Sequence, residues 1–444
     1  MSQELASKIR NADIEDVLLD AEQRFTDRNP KSFNRHHNAK AFLPGGNTRG
    51  VLYYHPFPIT LVGGEGCYVT DLDGHRYVDL VSEYSACFYG HSNKQIAAAL
   101  IEAVQGGTAL GAPNNFEARY AEALIERFPA IERIRFCNSG TEANIMAISA
   151  ARAITGRSKV LVFREGYHGG VITFGHGGSP LNLPFPYVFA DYNDVVGTES
   201  VIREHGADLA VVIVEQMMGS GGCILATQDF LTSLRKTTQE VGALLIFDEV
   251  MTSRLYYRGL HGANGINPDF VTLGKYLGGG ASFGAFGGRT DLMDRFDPAT
   301  PKAFSHGGTF NNNILSMMGG FVGFTQVLTE EASKSVNDIG DGLRDDMNAA
   351  LKRHEVEAIV TGYGSLMNIH FVKGPVTTPA VLEVADSRLT KLWQIEMLLR
   401  GFHVTARGML ALSIPFGKKE AHDFIDAFDD FLTIHKQHLP RSNS

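Results

Sequence analysis

The stretch "RIRFCNSGTEANIMAISAARAITG", residues 133–156, decides the fold because it joins a short strand to a helix through a polar turn. Short apolar runs continue the pattern, and helical or loop segments separate them. These runs cover residues 159–163, 209–215, 243–250 and 269–275. Short buried strands between helical crossovers predict a mostly parallel sheet that is covered on both faces.

The segments on either side of this alternation have a different pattern. Residues 66–81 alternate apolar and polar side chains around an Asp-Gly turn, which predicts a hairpin. After about residue 325, longer polar helices precede the apolar runs "SLMNIHFV" and "GMLALSIP". We therefore expect an α/β fold with a large domain over residues 86–324. A smaller α+β domain would combine residues 1–85 with residues 325–444.

Composition excludes several classes of protein. The chain has 444 residues and a formal net charge of −9, without a long basic run, so a nucleic-acid surface is not expected. The first twenty residues carry charges throughout and no run of about 18 apolar residues occurs, so neither a signal peptide nor a membrane span is expected. The scattered cysteines predict reduced thiols in a cytoplasmic protein rather than a disulfide frame or a zinc site. They are Cys67, Cys87, Cys137 and Cys223.

Two groups of polar residues follow predicted strands, where open α/β sheets gather their ligands. Ser139, Gly140 and Thr141 lie between a strand and a helix, so their N–H groups and hydroxyls suit a phosphate, although a plain N-cap uses the same residues. Asp248 ends an apolar strand and must be paired there. It suits a protonated ring nitrogen or a loop cap. A metal is disfavoured because no matching His/Asp cluster lies nearby, and no metal site is expected.

Two further groups carry an amine and an aromatic ring. Lys275 lies among apolar residues and glycines in "VTLGKYLGGGASFGAFGG". A lysine in surroundings of low polarity has a lowered pKa and becomes a usable amine nucleophile. The alternative is a lysine whose amine reaches the solvent at the surface. In "REGYHGG", Tyr167 or His168 suits stacking on a flat ligand, and a core aromatic at a turn is the alternative.

The order of these groups is more specific than any one of them. Along the chain the order is a phosphate cup, an aromatic residue, a strand-end aspartate and then a lysine. This order resembles that of the fold-type I pyridoxal-phosphate enzymes, specifically the class III aminotransferases. The motifs "NSGTEAN", "GYHGG", "FDEVMTSR", "LGKYLGGG" and "HGGTFNNN" carry this resemblance. It extends over nearly the whole chain, from "FLPGGNTRG" to "GDGLR".

The resemblance implies a role for each matching residue. Lys275 corresponds to the lysine that forms the Schiff base with pyridoxal 5′-phosphate. Asp248 corresponds to the aspartate that keeps the pyridine nitrogen protonated, which makes the ring an electron sink. The Ser139-Gly140-Thr141 cup corresponds to the phosphate site. Tyr167 would stack on the ring, and Val250 would pack on its other face.

Two further matches concern the partner subunit and the substrate loop. Thr309 corresponds to a threonine that reaches the phosphate of the neighbouring subunit, which implies a homodimer. In "EQMMGS", Glu215 of the cofactor site is retained, but Gln216 replaces a proline and Ser220 occupies the position of a second glutamate. That glutamate retracts from a substrate-binding arginine in the family, so the arginine here should stay free.

Two arginines address the substrate. Arg407 in "VTARGMLALS" fits the arginine that class III enzymes use for the carboxylate of an α-keto acid, and Arg49 lies in the loop that lines the opposite side of the pocket. A β-amino acid separates its amine and carboxylate by one more carbon, and a second arginine would serve that carboxylate. An apolar wall is expected from Tyr53, Tyr54 and Phe57.

These features are similar to the β-amino-acid aminotransferases, notably the β-phenylalanine aminotransferases. The hypothesis is transfer of the amino group of an aromatic β-amino acid to 2-oxoglutarate or pyruvate. Glutamate-1-semialdehyde 2,1-aminomutase is an alternative that shares several motifs, but in that family no arginine corresponds to Arg407. A non-catalytic protein that binds a phosphate ligand on the same sheet is a further alternative.

Overall fold

The computed structural model describes residues 13–441. Its strands are β1 (Leu61–Glu65), β2 (Tyr68–Asp71), β3 (Arg76–Asp79), β4 (Arg133–Cys137), β5 (Lys159–Phe163), β6 (Tyr187–Ala190), β7 (Leu209–Glu215), β8 (Met217–Met218), β9 (Ile224–Leu225), β10 (Leu244–Asp248), β11 (Phe270–Gly274), β12 (Gly284–Gly288), β13 (Ile359–Tyr363), β14 (Leu366–His370), β15 (Phe402–His403) and β16 (Met409–Ala411).

Its helices are α1 (Ile14–Arg28), α2 (Pro30–Ala39), α3 (Lys94–Gly106), α4 (Asn115–Arg127), α5 (Gly140–Thr155), α6 (Val195–His205), α7 (Gln228–Val241), α8 (Gly259–Asn264), α9 (Thr290–Met293), α10 (Ile314–Val322), α11 (Glu330–Arg353), α12 (Ser387–Leu399) and α13 (Lys418–His435). Among residues 13–441, none of these helices has the length and apolar character that a membrane crossing requires.

A seven-stranded sheet forms the centre of the molecule, in the order β4-β12-β11-β10-β7-β5-β6. The strands β11, β10, β7, β5 and β6 pair in parallel, and β12 pairs antiparallel with both of its neighbours. This arrangement confirms the expected α/β fold with a mostly parallel sheet.

Helices cover both faces of this sheet because its central strands are mostly apolar and buried along their length. All residues of β7 are buried. Val211 and Ile213 pack on one face with Ala147 of α5. Val212 packs on the other face with Leu231 of α7. Alternate residues of a strand point to opposite faces, so a continuous apolar run matches a sheet between two helical layers.

Two smaller sheets combine distant parts of the chain. The predicted hairpin forms from β2 and β3, and β15 then pairs in parallel with β3, with Phe402 opposite Val78. This four-stranded sheet therefore joins an N-terminal segment to a C-terminal one. A three-stranded sheet of β13, β14 and β16 lies wholly in the C-terminal part. The domain boundaries at residues 86 and 324 stay a prediction.

The sequence pattern does not predict strand β12, because its sequence "GAFGG" lacks the branched residues that indicate a strand. Its glycines are required by close packing. A Cβ atom at Gly284 would lie 2.1 Å from the carbonyl oxygen of Ser139, and one at Gly288 would lie 2.1 Å from that of Asp269. Glycine therefore allows β12 to lie between β4 and β11, beside the start of α5.

Candidate active site

Parallel pairing brings three polar residues to one edge of the large sheet. Asp248 at the end of β10 lies opposite Glu215 of β7 and opposite Thr272 of β11. Lys275 follows directly after β11. The carboxyl ends of these strands therefore collect two carboxylates and an amine, as the sequence predicts for a ligand site.

Asp248 is buried and bonded through both of its carboxylate oxygens. Its Oδ2 atom accepts a hydrogen bond from Asn144 Nδ2 at 2.8 Å and lies 2.8 Å from His168 Nδ1. Its Oδ1 atom accepts from the Val250 N–H at 3.0 Å. A carboxylate oxygen accepts in this contact when Nδ1 of His168 carries a proton. Thr272 Oγ1 donates to Asn144 Oδ1 at 2.6 Å, which orients the amide.

Glu215 is the second buried carboxylate. Its two oxygens accept hydrogen bonds from the N–H of Tyr167 at 3.0 Å and from the N–H of Gly219 at 2.9 Å. Burial raises the pKa of Glu215 above its ordinary value. Glu215 thus fixes the loop that carries Tyr167 and His168 beside Asp248.

Lys275 occupies the position that the sequence predicts, between a strand end and a glycine turn. Its backbone is left-handed, with φ of 56°. Its Nζ atom donates to the carbonyl oxygen of Tyr84 at 2.8 Å and to Ser85 Oγ at 3.0 Å. Burial, followed by the nearby Arg407 guanidinium, lowers the pKa of the Lys275 amine to about 8. The lowered pKa gives the amine a much larger neutral, nucleophilic fraction near neutral pH than an ordinary lysine has.

The partners of Lys275 come from a left-handed turn over residues 82–85. All of its residues are non-glycine and have φ between 47° and 75°. Non-glycine residues rarely adopt this conformation, and strained backbone concentrates at functional sites. Asp79 stabilises the turn by accepting the N–H groups of Val81 and Ser82 at 3.0 and 3.1 Å. The buried Arg254 donates through Nη1 to the Ser85 carbonyl at 3.3 Å.

The start of helix α5 provides backbone donors. Ser139 is the N-cap, and its Oγ accepts the N–H of Glu142 at 3.1 Å, so the N-cap interpretation of this serine is what the structure shows. Gly140 and Thr141 occupy the first helical turn, where N–H groups lack intrahelical acceptors. A Cβ atom at Gly169 would lie 2.3 Å from Thr141 Oγ1, so a glycine is needed beside this turn.

A cavity of about 400 Å³ collects most of the predicted residues. The predicted residues that line it are Arg49, Gly140, Thr141, Tyr167, Glu215, Asp248, Val250, Lys275 and Arg407. Ser139 instead lines a neighbouring cavity that shares Gly140 and Lys275. Thr309 lies in an exposed loop and lines neither cavity.

The prediction that Tyr53, Tyr54 and Phe57 form the apolar wall of the cavity is wrong. Phe57 is buried against Phe25, with ring centroids 5.1 Å apart, and neither Tyr53 nor Tyr54 lines the cavity. Tyr54 and Phe57 pack against Phe25 of α1, whereas Tyr53 is exposed. The apolar lining comes instead from Val51, Ala86, Val250 and Met251.

The two arginines meet at one aromatic ring. The Cζ atoms of Arg49 and Arg407 lie 5.4 and 5.5 Å from the centroid of the Tyr84 ring. Arg49 forms an ion pair with Glu83. Arg407 donates through Nη1 to Ser220 Oγ at 3.1 Å, and its buried Nε is without a hydrogen-bond partner among the described residues. Two cationic groups thus face the same cavity as the Lys275 amine.

Comparison with known proteins places the chain in a family. Residues 52–430 match the family model described as aminotransferase class-III. The chain belongs to the class-III aminotransferases. It is 47% identical to the β-phenylalanine transaminase of Variovorax paradoxus, over 98% of this chain and 100% of the relative. The solved structure of β-phenylalanine aminotransferase from that organism superposes with a TM-score of 0.95, 47% identity, and coverage of 97% of this chain and 100% of that chain.

Other class-III relatives are more distant. The chain is 35% identical to glutamate-1-semialdehyde 2,1-aminomutase 1 of Macrococcus caseolyticus, over 91% of this chain and 99% of the relative. A solved transaminase with PLP bound matches with a TM-score of 0.85 and 31% identity, covering 92% of this chain and 99% of that chain. These matches confirm the predicted aminotransferase and its fold-type I architecture. They disfavour the non-catalytic alternative.

Pyridoxal 5′-phosphate, the cofactor that the sequence predicts, fits the residues of this cavity. Asp248 offers a buried carboxylate for a protonated ring nitrogen, and Lys275 offers an amine of lowered pKa for a carbonyl carbon. Gly140 and Thr141 offer helix-start N–H groups for a phosphate. A Cβ atom at Gly140 would lie 2.8 Å from Val250 Cγ1, so the helix start closes against Val250 only because a glycine is there.

Proposed function

We propose that the protein transfers the amino group of an aromatic β-amino acid, such as β-phenylalanine, to 2-oxoglutarate or pyruvate. The observation that carries this proposal is the placement of Arg49 and Arg407 over the Tyr84 ring, in the cavity that holds Lys275. Two arginines in one site suit two substrates whose carboxylates lie at different distances from the carbon that carries the amino or keto group. The 47% identity to a β-phenylalanine transaminase supports the same substrate class.

Pyridoxal 5′-phosphate supplies, when bound, the carbonyl carbon that takes up the amine and the ring that withdraws electrons from the substrate carbon. We assign Asp248 to holding a proton on the ring nitrogen, because Asn144 and His168 keep its carboxylate in place. Gly140 and Thr141 would hold the phosphate. Ser139 would act there chiefly as the N-cap that fixes the helix start.

The remaining residues position the reacting groups. Lys275 would attach the cofactor and then move the proton at the substrate carbon, since its Nζ is held by the Tyr84 carbonyl and Ser85 Oγ. Tyr167 and Val250 line the cavity and would contact the ring. Glu215 would keep the Tyr167 loop in place through its two backbone hydrogen bonds.

A homodimer is part of this proposal. Thr309 and its neighbour Phe310 are exposed, and Asn312 Nδ2 ties their loop to Glu117 Oε2 at 3.0 Å. We propose that Thr309 reaches the phosphate site of a second subunit. A hybrid dimer of one Lys275→Ala chain and one Thr309→Ala chain should regain activity over a mixture of the two homodimers, because one of its sites would be intact. A monomeric active enzyme would contradict this arrangement.

We also propose a cytoplasmic location. The four cysteines are free thiols, as expected for a reducing compartment. Cell fractionation with an antibody against the protein would test it.

The function is tested by a panel of amine donors with the acceptor fixed. β-Phenylalanine, α-phenylalanine, 1-phenylethylamine and glutamate-1-semialdehyde would be compared in the presence and absence of 2-oxoglutarate. The proposal expects β-phenylalanine to react fastest and only with the acceptor present. Conversion of the semialdehyde without any acceptor, at the highest rate of the panel, would favour the aminomutase instead.

A further inference from the structure

The two arginines of the cavity differ in their neighbours. Arg407 is bonded to the neutral hydroxyl of Ser220, whereas Arg49 is paired with the carboxylate of Glu83. Both guanidinium groups lie over the ring of Tyr84. One arginine is therefore compensated in charge before any substrate enters, and the other is not.

We propose that Glu83 is a specificity-determining residue that competes with the substrate carboxylate for Arg49. This inference rests on the proposed function, in which Arg49 binds the carboxylate of a β-amino acid. A β-amino acid must displace Glu83 before its carboxylate can bind Arg49. An amine without a carboxylate leaves the ion pair in place and meets a neutral group.

The backbone supports a dedicated role for Glu83. This residue is left-handed, with φ of 48° and ψ of 44°, inside the turn over residues 82–85. The same turn offers the Tyr84 carbonyl to Lys275 Nζ at 2.8 Å. Strained non-glycine residues persist only where their surroundings hold them, and Asp79 and Arg254 do so here. The turn thus fixes the backbone from which the Glu83 side chain reaches Arg49, next to the residue that holds the reacting amine.

Exposure makes the exchange of partners feasible. The side chains of Arg49 and Glu83 are 44% and 56% exposed. An exposed ion pair is weak, and a displaced Glu83 returns to water without a large desolvation cost. A substrate carboxylate can therefore replace it, but with an affinity that the competing glutamate reduces.

The experiment measures binding rather than turnover. Calorimetry on the holoenzyme would use 3-phenylpropanoate, which carries the carboxylate without the amine, and its neutral amide, 3-phenylpropanamide. Glu83→Gln should tighten binding of the carboxylate about fivefold, the factor that corresponds to an exposed ion pair of about 1 kcal/mol. Binding of the amide should not change.

The matched control is Glu240→Gln, since Glu240 is also an exposed glutamate paired with an arginine, at 3.1 Å from Arg203. It should leave the Kd of both ligands unchanged. In turnover, Glu83→Gln should raise the ratio of kcat/KM for β-phenylalanine to that for 1-phenylethylamine.

Binding measurements on Arg49→Ala distinguish the role of Arg49 in binding the carboxylate from the competition by Glu83. If Arg49→Ala weakens binding of 3-phenylpropanoate and Glu83→Gln does not tighten it, competition by Glu83 is wrong while Arg49 keeps its role. If Arg49→Ala leaves that binding unchanged, the role of Arg49 is wrong and the inference about Glu83 fails with it.

Discussion

The two halves of the cavity differ in how firmly their polar groups are held. On the side that we propose for the cofactor, called the cofactor half, Asp248 is 4% exposed and receives three hydrogen bonds. On the side that we propose for the substrates, called the substrate half, Arg49 is 44% exposed and Arg407 bonds mainly to a serine hydroxyl. The cofactor half is thus preorganised, whereas the substrate half keeps two guanidinium groups available, as the proposed binding of two different carboxylates requires. Preorganised electrostatics favour catalysis, and adjustable donors favour a site that alternates between substrates.

Removing the amine at the boundary of the two halves should have the largest effect. Lys275→Ala should lower turnover by about 10⁴-fold, since a positioned general acid–base group contributes up to that factor. It should also abolish the borohydride-reducible cofactor adduct. Lys159→Ala changes a lysine at the start of β5 outside the cavity and should keep both properties. Turnover of Lys275→Ala at the rate of the control would contradict the assignment.

A change in the cofactor half should come next. Asp248→Asn retains the shape but removes the buried charge that Asn144 and His168 hold. Removal of one preorganised electrostatic group lowers kcat by about 10²- to 10³-fold, so we expect kcat to fall roughly 10²-fold for every amine donor alike. A loss confined to β-amino acids would show that the two halves are not separate.

A change in the substrate half should weaken binding of one substrate and leave the reaction steps at the cofactor unaffected. Arg407→Ala should raise the KM for 2-oxoglutarate by about 10- to 100-fold, because hydrogen bonds to charged groups are worth about 1.5–3 kcal/mol. Steady-state kinetics at saturating donor would measure it. An unchanged KM for the keto acid would assign its carboxylate to another residue.

The smallest expected effect is a shift in the pH dependence of cofactor attachment, through which Arg407 in the substrate half influences Lys275. The pKa of Lys275 is lowered from 10.5 to about 8, so its neutral fraction grows as pH rises through 8. Attachment of pyridoxal 5′-phosphate to the apoenzyme should therefore accelerate with pH and level off above about 8. Arg407→Ala removes a cation that lowers this pKa and should move the profile to higher pH. Stopped-flow absorbance would follow the reaction, and coincident profiles would contradict the coupling.

The sequence predicts which residues line the cofactor half better than it predicts the residues of the substrate half, for a physical reason. Asp248, Thr141 and Lys275 follow strands whose apolar runs are visible in the sequence, and parallel pairing fixes where those strands end. The hydrogen bond from Asn144 to Asp248 joins residues 104 positions apart. Asn144 lies in the motif "NSGTEAN", but the sequence does not show that it bonds to Asp248.

The substrate half depends on backbone that sequence patterns do not indicate. Residues 82–85 contain no glycine, so nothing local predicts a left-handed turn there. Asp79 and Arg254 impose it through tertiary hydrogen bonds. The pairing of Arg49 with Glu83 follows from that turn. Proximity in sequence to Arg49 predicts that the neighbouring aromatic residues line the cavity, but Phe57 lies in the core.

The most direct test of the central claim compares two donors that differ only in the carboxylate-bearing arm. The kcat/KM values of wild type and Arg49→Ala would be measured with β-phenylalanine and with 1-phenylethylamine, at a fixed acceptor. We predict a loss of about 10-fold or more for β-phenylalanine, as expected for one charged hydrogen-bonded contact, and a change of less than about twofold for the amine. Equal losses for both donors, or no loss for either, would contradict the role of Arg49 in selecting β-amino acids.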